Sequence, residues 1–312
     1  MSEFALIQQH FANATLSHPD TVLGIGDDCA VSQPPAGCQL VSCMDTLVAG
    51  RHFLVDTPAY AIAYKAVAVN LSDLAAMGAT PYAILLGLNL PKSLANDAWL
   101  GEFCRGLAAI CQPFGVELIG GDTTGSEILT ISITALGFIE QNQAITRHGA
   151  KVGDLVCVSG EIGSASFALS QAFLGVVSPL KHTLDLPMPQ VHLGRQLVGY
   201  ASAMIDISDG LAQDLGHILS ASGVGAVLDL DKLPTHPILQ KLPDTKRWQH
   251  QLNGGDDYQL CLTISPQNLQ KFQQNHSDSI IYPIGHITKE PTLMLTAQNR
   301  PIDFDIGGWQ HF

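Results

Sequence analysis

The stretch TPAYAIAYKAVAVNLSDLAAMG (57–78), followed by YAILLGLNLP (82–91), decides the fold class of this chain. The first segment begins with Thr-Pro, carries a long apolar periodicity and stops at a glycine, which are the signals of an α-helix. The second segment is an apolar run of strand length, as expected of a buried strand. A buried helix that leads into a buried strand predicts an α/β fold.

The segments on either side continue this pattern through the first half of the chain. Residues 2–13 are predicted as a short amphipathic helix, and NDAWLGEFCRGLAAICQPFG (96–115) as a helix closed by Gly. Three further segments are predicted as strands: CQLVSCMDTL (38–47), VELIGGDTT (116–124) and ILTISITALGFIE (128–140). These elements predict an N-terminal mixed sheet with flanking helices.

A polar, Gly-containing connection, ITRHGAKVGD (145–154), separates the two halves. A chain of 312 residues suits two domains of roughly 150 residues each. We therefore predict domains at 1–148 and 149–312. In the second, DLVCVSG, GAVLDL, YQLCLTI, SIIYPIGHI and TLMLTA are predicted as strands, with helices up to about 174, over 189–202 and near 266–274. The segment AMIDISDGLAQDLGHILSAS (203–222) is predicted to run from a strand through a tight turn into a helix. This alternation predicts a C-terminal α/β sandwich.

Composition limits the class of protein and its partners. Hydrophobic residues make up 46% of the chain and charged residues 14%, which is typical of a globular protein with a large core. The net charge of −13 argues against nucleic acid as a partner, because phosphate backbones require a basic surface. The N-terminus lacks a signal peptide pattern, and the apolar run within 82–90 is too short to span a membrane. Seven cysteines without a C-x-x-C pair are typical of reduced thiols in the cytoplasm.

Aspartate is unusually common, with 21 Asp against 7 Glu. Six acidic turns lie at strand ends or helix starts: Asp27-Asp28, Asp45, Asp73, Gly120-Gly121-Asp122, Asp206-x-Ser208-Asp209 and Gly254-Gly255-Asp256-Asp257. Adjacent carboxylates repel each other by about 1 kcal/mol at 4 Å in water, and more at lower dielectric. Carboxylate oxygens are the ligands that Mg²⁺ prefers in nucleotide sites. The turns therefore predict a magnesium site, with turn and cap aspartates as the alternative for each member.

Glycines and a few cations accompany these turns. GIGDD and IGGDTT expose backbone N–H groups that could bind an anion, although no P-loop and no G-x-G-x-x-G motif is present. Arg147 could pair with a phosphate or be a solvated linker residue. His52 could contact a substrate or cover a loop. Lys65, inside an apolar helix, could snorkel or pair with an aspartate.

Eight motifs taken together resemble bacterial thiamine-monophosphate kinase. In chain order they are GIGDDCAV, DTLVAGRHF, AYKAVAVNLSDLAAMGATP, LIGGDTT, TRHGAKVGD, IDISDGLAQDLGHI, GGDDYQL and GWQHF, which together span residues 24–312. The wider superfamily includes aminoimidazole ribonucleotide synthetase and selenophosphate synthetase. The resemblance implies a homodimer whose N-terminal sheets pair into a barrel, with ATP bound near the subunit boundary. It also implies transfer of phosphate from ATP to thiamine phosphate with several Mg²⁺ ions.

The resemblance also assigns roles to single residues. Asp45, Asp122, Arg147 and Asp209 would be catalytic, and thiamine phosphate would contact His52, Asp256 and the C-terminal segment with Trp309. Gly121, Asp122, Arg147 and Ser208 would contact ATP. The metal-facing carboxylates would be Asp27, Asp28, Asp45, Asp73, Asp122, Asp206 and Asp209. The reacting phosphate oxygen is already ionised near neutral pH, so positioning and charge stabilisation would suffice without a strong base.

Three positions depart from the family pattern. Cys43-Met44 stand where the family commonly has Ser-Thr metal ligands, although a metal could still use the Met44 carbonyl oxygen. Asp256 stands where the family has Glu, and is one methylene shorter. Ile306 occupies the place of a tryptophan that stacks on substrate in some relatives, and cannot offer a π face.

Two alternatives remain at this point. A sister enzyme of the superfamily would activate an amide or a selenide through an acyl- or selenophosphate. A selenophosphate synthetase would need a reactive Cys near the N-terminus, and Cys29 lacks such a context. A non-catalytic nucleotide-binding or assembly protein would be expected to lack several of the aspartates.

Overall fold

The computed structural model describes residues 7–307, with side chains from residue 9. The chain divides into two compact units. The first consists of residues up to 74 together with 79–142, and the second of residues 75–78 together with those from 143 onward. This division precedes the predicted boundary at 148/149 by several residues.

The first unit contains a four-stranded mixed sheet and a separate two-stranded hairpin. The sheet order is β3-β6-β4-β5, with β4 and β5 parallel and the other neighbours antiparallel. Of the predicted N-terminal helix, a short π-helical turn over Ile7–Phe11 is described. The other elements are β1 Thr21–Leu23, β2 Val31–Ser32, β3 Cys38–Val48, α1 Ala59–Ala76, β4 Thr80–Leu90, α2 Asp97–Phe114, β5 Glu117–Gly125 and β6 Thr130–Glu140.

Helix α1 is buried almost all round, as its apolar sequence predicts. The buried polar side chains on it are anchored: Asn70 Nδ2 donates to the Ala66 carbonyl oxygen at 3.0 Å, and Lys65 Nζ donates to the His52 carbonyl oxygen at 3.2 Å. Strand β6 alternates between buried residues such as Ile131 and Ile133 and half-buried ones. One face of this sheet is therefore packed in the core, and the opposite face is partly exposed.

The second unit is built on a seven-stranded sheet of order β13-β12-β9-β11-β7-β10-β8, in which only the β12–β9 pair is parallel. Its strands are β7 Leu155–Val158, β8 Ala201–Asp206, β9 Gly225–Asp229, β10 Leu260–Ile264, β11 Tyr282–Thr288, β12 Leu293–Ala297 and β13 Arg300–Ile302. Its helices are α3 Ser164–Phe173, α4 Lys181–Asp185, α5 Val191–Gln196, α6 Leu211–Ser222, α7 Asp244–Asn253 and α8 Pro266–Asn275, with 3₁₀ turns at Leu230–Lys232 and Leu239–Lys241. The predicted α/β class is confirmed.

The boundaries of the elements correct the sequence prediction in two places. The helix predicted over 189–202 is wrong in extent, because α5 ends at Gln196 and the chain enters β8 at Ala201. Helices α4 and α7 were not predicted. The α7 sequence, DTKRWQHQLN, is polar apart from two residues, and it is held because Trp248 and Leu252 pack into the core of the unit.

Two further observations bear on the cellular setting. None of the helices within residues 7–307 combines the length and apolar character required to cross a bilayer. All seven cysteines lie in the described part of the chain, and all are free thiols.

Candidate functional site

The two glycine–aspartate segments of the first unit come together around one cavity of about 750 Å³. Residues 24–28, between β1 and β2, line one side of it, and residues 120–122 of β5 line another. The remaining lining is mostly apolar and includes Phe11, Leu85, Leu118, Ile119 and Leu136. Exposed backbone and carboxylates therefore lie next to an apolar wall, which is the chemistry expected of a site for a nucleotide.

The hairpin that carries residues 24–28 is anchored by two residues that the sequence analysis missed. The Tyr82 hydroxyl lies 3.1 Å from Thr21 Oγ1 and 2.5 Å from Ser32 Oγ, so it joins both strands of the hairpin. The Glu117 carboxylate accepts a 2.7 Å hydrogen bond from the His18 backbone N–H. No motif marks these residues, because their partners lie far away in the sequence.

Gly121 is required by the close approach of β4 to β5. It has φ +151°, and a Cβ placed on it would lie 2.0 Å from the Leu86 carbonyl oxygen. Any side chain would therefore collide with the backbone of the paired strand. Beside it, the exposed Asp122 faces the same cavity as Asp27 and Asp28.

Asp45 and Asp73 form a second acidic pair in this unit, and both lie close enough to Cys43 for their charges to act on its thiol. Burial raises the pKa of the Cys43 thiol, and the charges of Asp73 and Asp45 raise it further. Asn70, fully buried on α1, accepts hydrogen bonds from the Asp45 backbone N–H at 3.0 Å and from Cys43 Sγ at 3.7 Å. The two half-buried carboxylates are thus held close together by contacts between β3 and α1.

The other residues predicted near this pair point in different directions. Met44 is 62% exposed and lies on the opposite face of β3, so its side chain does not face Asp45. His52 closes the loop after β3: its side-chain Nδ1 accepts from the Val48 backbone N–H at 3.0 Å, and its backbone N–H donates to the Val48 carbonyl oxygen at 3.0 Å. His52 therefore has a structural contact, whatever else it binds.

The two acidic groups of the first unit lie at opposite edges of the sheet. Asp45 pairs with Ile133, Ile133 with Leu86, and Leu86 with Gly121. Three strand spacings separate β3 from β5, which is roughly 14 Å. Asp45 and Asp122 of one chain are therefore too far apart to share one metal ion. In the part of the chain that the structure describes, no three His, Cys, Asp or Glu side chains are arranged to hold a metal ion.

The second unit presents its acidic loop, residues 206–210, between β8 and α6. Asp214 Oδ2, from the first turn of α6, accepts hydrogen bonds from the backbone N–H groups of Ser208, Asp209 and Gly210 at 3.0, 3.1 and 3.1 Å. Burial raises the pKa of Asp214 to about 7, with further contributions from the charges of Asp206 and Asp209. The helix N-terminus is already occupied by this carboxylate, so these N–H groups do not form a free phosphate site.

The segment Gly254–Tyr258 packs directly on this acidic loop. A Cβ on Gly255 would lie 2.1 Å from the Ser208 carbonyl oxygen, so only glycine fits there. The Asp256 N–H donates to that same oxygen at 2.9 Å, and Asp256 adopts a left-handed φ of +67°. The Tyr258 hydroxyl donates to Asp256 Oδ1 at 2.9 Å, which orients the carboxylate.

The C-terminal segment of the described chain is fastened next to Gly254. Asn253 Nδ2 donates to the Asp305 carbonyl oxygen at 3.0 Å, and Asn253 Oδ1 accepts from the Gly307 N–H at 3.1 Å. Ile306, between these two bonds, is 39% exposed. Trp309, the predicted partner of the thiamine rings, lies outside the described residues.

Comparison with known proteins connects this geometry to a family. AIR synthase related protein, N-terminal domain, matches residues 26–139, and AIR synthase related protein, C-terminal domain, matches 151–297. A thiamine-monophosphate kinase from Haemophilus influenzae is 43% identical over 274 residues, covering 86% of this chain and 83% of that protein. The crystal structure of thiamine-monophosphate kinase from Stenotrophomonas maltophilia is 39% identical, with TM-score 0.87, and the match covers 97% of this chain and 98% of that one.

The chain belongs to the thiamine-monophosphate kinase family. A solved structure described as AaThiL complexed with AMPPCP and TMP is 27% identical, with TM-score 0.78, and the match covers 99% of this chain and 96% of that chain. The family resemblance found in the sequence is thus confirmed over nearly the whole length.

Arg147, which the thiamine-monophosphate kinase pattern places at ATP, lies in the exposed connection that leads into the second unit. The backbone of this connection is fixed to the unit: the Met204 N–H donates to the Thr146 carbonyl oxygen at 3.0 Å, and Ser222 Oγ donates to the Arg147 carbonyl oxygen at 3.4 Å. The main chain at Arg147 is therefore positioned, while its guanidinium is accessible to solvent and to ligands.

A second inward-turned carboxylate in this family member, that of the half-buried Asp257, caps helix α3. It accepts a 2.6 Å hydrogen bond from the Gly163 N–H and further backbone hydrogen bonds from Ser164 and Ala165. Burial raises its pKa to about 7, and the charge of the neighbouring Asp256 adds to the rise. The sequence assigned a substrate contact to Asp256 and no separate role to Asp257; the structure bonds the Asp256 carboxylate to Tyr258 and turns Asp257 onto helix α3.

The raised pKa of Asp257 predicts a pH-dependent stability. The folded state holds the proton more tightly than the unfolded state, in which the pKa is near 4, so stability is lost as pH rises from about 4 through about 7. The loss reaches at most roughly 4 kcal/mol. We expect the melting temperature of the wild type to fall more steeply between pH 5 and 8 than that of Asp257→Asn. Parallel curves would contradict the assignment, and Asp278→Asn, which removes an exposed carboxylate, is the control.

Proposed function

We propose that this chain transfers the γ-phosphate of ATP to thiamine phosphate and releases ADP and thiamine diphosphate. The observation that carries the proposal is the family relationship over nearly the whole chain, including 43% identity to a thiamine-monophosphate kinase. The structural relative AaThiL, which is complexed with AMPPCP and TMP, supports both substrates. The cavity between residues 24–28 and 120–122 supports a nucleotide site in the first unit.

The reaction requires positioning rather than a strong base. A phosphate oxygen of thiamine phosphate attacks the γ-phosphorus of ATP, the new O–P bond forms, and the bond to the β-phosphate oxygen breaks as ADP leaves. The attacking oxygen carries its charge near neutral pH, since the second pKa of a phosphate monoester is about 6. The described site is accordingly rich in aspartate and backbone N–H groups, and Arg147 is proposed to stabilise the charge on the transferring group.

The donor set of the site fits Mg²⁺. The proposed ligands are carboxylates, and they occur in pairs such as Asp45 with Asp73 and Asp27 with Asp28. Magnesium in nucleotide sites is held by one or two carboxylates together with phosphate oxygens, so a pair is sufficient. When bound, Mg²⁺ would neutralise charge on the phosphates. Asp122, Asp206 and Asp209 complete the proposed set of carboxylates, with the Cys43 side chain and the Met44 carbonyl oxygen as further proposed donors.

Thiamine phosphate is proposed to contact residues of the second unit. Asp256 is oriented by Tyr258, and Ile306 is fastened beside the same segment through Asn253. These contacts support a substrate role for Asp256, although its side chain is one methylene shorter than the family's Glu. They also support Ile306 as an apolar surface that packs against a thiamine ring. The family pattern also places His52 and Trp309 at thiamine phosphate. It places Gly121 and Ser208 at ATP.

A homodimer would explain why the acidic residues of the first unit lie at two edges of one sheet. Asp45 lies on edge strand β3, and Asp122 lies on edge strand β5 next to Gly121, the residue that shares a row across the sheet with Asp45. A second copy that pairs its sheet with this one could bring its β5 edge, with Asp122, close to the β3 edge of this copy, with Asp45. The partly exposed face of the sheet, with Leu40 57% and Met44 62% exposed, supports the same pairing. We propose that residues 1–148 form the ATP-binding and dimerisation domain and residues 149–312 the α/β domain.

The cytoplasm is the proposed compartment. Seven free cysteines, three of them buried, are typical of a reducing environment.

The test of the proposed function is an acceptor comparison. The purified chain is incubated with ATP and Mg²⁺ and with thiamine phosphate, thiamine, selenide or no acceptor, and ADP and thiamine diphosphate are measured separately. We expect ADP only with thiamine phosphate, in equal amount to thiamine diphosphate. ADP formed with selenide instead would favour a sister enzyme, and binding of ATP without turnover on any acceptor would favour a non-catalytic protein.

A further inference from the structure

The acidic loop 206–210 is hydrogen-bonded to the buried side chain of Asp214, to which the family pattern assigns no role. Asp214 is 2% exposed, and its Oδ2 atom accepts from three consecutive backbone N–H groups, those of residues 208, 209 and 210. All three bonds are 3.0–3.1 Å long. Three donors on one oxygen fix three peptide planes relative to a single atom of helix α6, which leaves the loop little freedom.

The carbonyl side of the same loop is bonded to the segment that carries Asp256. The Ser208 carbonyl oxygen accepts from the Asp256 N–H at 2.9 Å, and the Ile207 carbonyl oxygen accepts from the Tyr258 N–H at 2.8 Å. A displacement of the loop would therefore also displace Asp256. Asp214 thus holds the loop whose backbone connects Ser208 and Asp209, assigned to the nucleotide, with Asp256, assigned to thiamine phosphate.

The bonding also decides which atoms the loop offers to a ligand. Its N–H groups are used internally, and its outward groups are the partly exposed side chains of Ser208 and Asp209. A loop of this kind presents hydroxyl and carboxylate oxygens and therefore suits cations and hydroxyl contacts. A phosphate bound to the main chain is not compatible with the Asp214 carboxylate in its place.

We infer that Asp214 is a positioning residue, whose buried carboxylate sets the placement of Ser208 and Asp209 for the nucleotide and of Asp256 for the phosphate acceptor. The inference rests on the proposed function, because the ligands of these three residues come from it. Asp214 itself touches no substrate in this arrangement and acts through the backbone.

The test measures nucleotide affinity and loop order separately. Binding of Mg²⁺–AMPPCP is measured by calorimetry for the wild type, Asp214→Ala, Asp214→Asn and Asp214→Glu. We expect Asp214→Ala to raise Kd roughly tenfold or more, as loss of an outer-shell partner does. Asparagine keeps an oxygen in the same place and is expected to stay within about threefold of the wild type. Glutamate keeps the charge but is longer, and is expected to raise Kd at least about fivefold because a shift of about 1 Å already disturbs such a site.

The matched control is Asp154→Ala in the same unit. Asp154 is 5% exposed and accepts from the Lys151 N–H at 3.0 Å and from Ser202 Oγ at 2.6 Å, but these contacts do not include the acidic loop. We expect this variant to melt at a lower temperature with an unchanged Kd. An equal rise in Kd for Asp154→Ala, or wild-type Kd in Asp214→Ala and Asp214→Glu, would overturn the inference.

The amide hydrogen exchange rates of residues 208–210 measure how well the loop is ordered in the absence of nucleotide. Faster exchange there in Asp214→Ala than in Asp154→Ala is expected, and equal exchange would overturn the inference. If the wild type binds no Mg²⁺–AMPPCP, the proposed function fails, and the exchange experiment still decides whether Asp214 orders the loop. If Asp214→Ala does not fold, the Kd values of Asp214→Asn and Asp214→Glu are compared instead. A positioning role predicts a higher Kd for Asp214→Glu than for Asp214→Asn, and equal Kd values would overturn the inference.

Discussion

Asp45→Asn and Asp73→Asn are each expected to lower turnover by at least roughly tenfold to a hundredfold, or about 1.4–2.7 kcal/mol, while the protein folds normally. The two carboxylates lie near Cys43, and Asp45 on β3 is fixed to α1 by the hydrogen bond from its backbone N–H to Asn70 Oδ1. Asparagine has nearly the same shape, so the packing around Asn70 is retained. It removes one of two like charges, so the melting temperature is expected to stay unchanged or to rise.

The measurement is the rate of ADP formation with thiamine phosphate, as a function of Mg²⁺ concentration. Asp56→Asn is the matched control, since Asp56 is an exposed aspartate of the same unit outside the proposed ligand set. Loss of activity with a higher half-saturating Mg²⁺ concentration would support the metal assignment. Normal turnover in both site variants would refute it.

Gly121→Ala is expected to destabilise the first unit strongly and to abolish nucleotide binding. The added Cβ would lie 2.0 Å from the Leu86 carbonyl oxygen, and φ is +151°. Overpacking against backbone costs about 1–3 kcal/mol and a strained φ costs a similar amount, so the total is roughly 2–6 kcal/mol. For a unit of this size, that corresponds to a fall in melting temperature of about 5 °C or more.

The control lies at the end of the same strand. Gly125 has nothing within 4 Å of its Cβ position, so Gly125→Ala is expected to melt within a degree or two of the wild type, or about 0.5 kcal/mol. Thermal melting of both variants, with and without ATP and Mg²⁺, checks the prediction. Equal melting temperatures for the two variants would show that β4 and β5 can separate to admit the methyl group.

Strong local patterns account for the elements that the sequence predicted well. Helix α1 was predicted within 57–78 and spans Ala59–Ala76, and α2 was predicted within 96–115 and spans Asp97–Phe114. Asn96 caps α2 by accepting from the Trp99 N–H, and Gly115 ends it at φ +67°. Both signals are local in the chain, so the sequence alone predicts both ends of the helix.

The elements that were missed depend on distant contacts. Helix α7 is stabilised by Trp248 and Leu252 in a core formed by strands elsewhere in the chain. The β1–β2 hairpin relies on Tyr82. The overlong helix predicted over 189–202 ended early because residues from Ala201 onward pair with β10. A periodic pattern cannot decide between a helix and a strand when the partner strand lies 60 residues further on.

The same distinction applies to the candidate site. The sequence by itself determined the family, the α/β class and the set of aspartates, because these depend on residue types and order. Only the tertiary structure decided which aspartates work together. It placed Asp45 and Asp73 beside Cys43, separated Asp45 from Asp122 by the width of a sheet, and turned Asp214 and Asp257 inward onto backbone N–H groups. Burial and strand register made these assignments, and neither is encoded within any one motif.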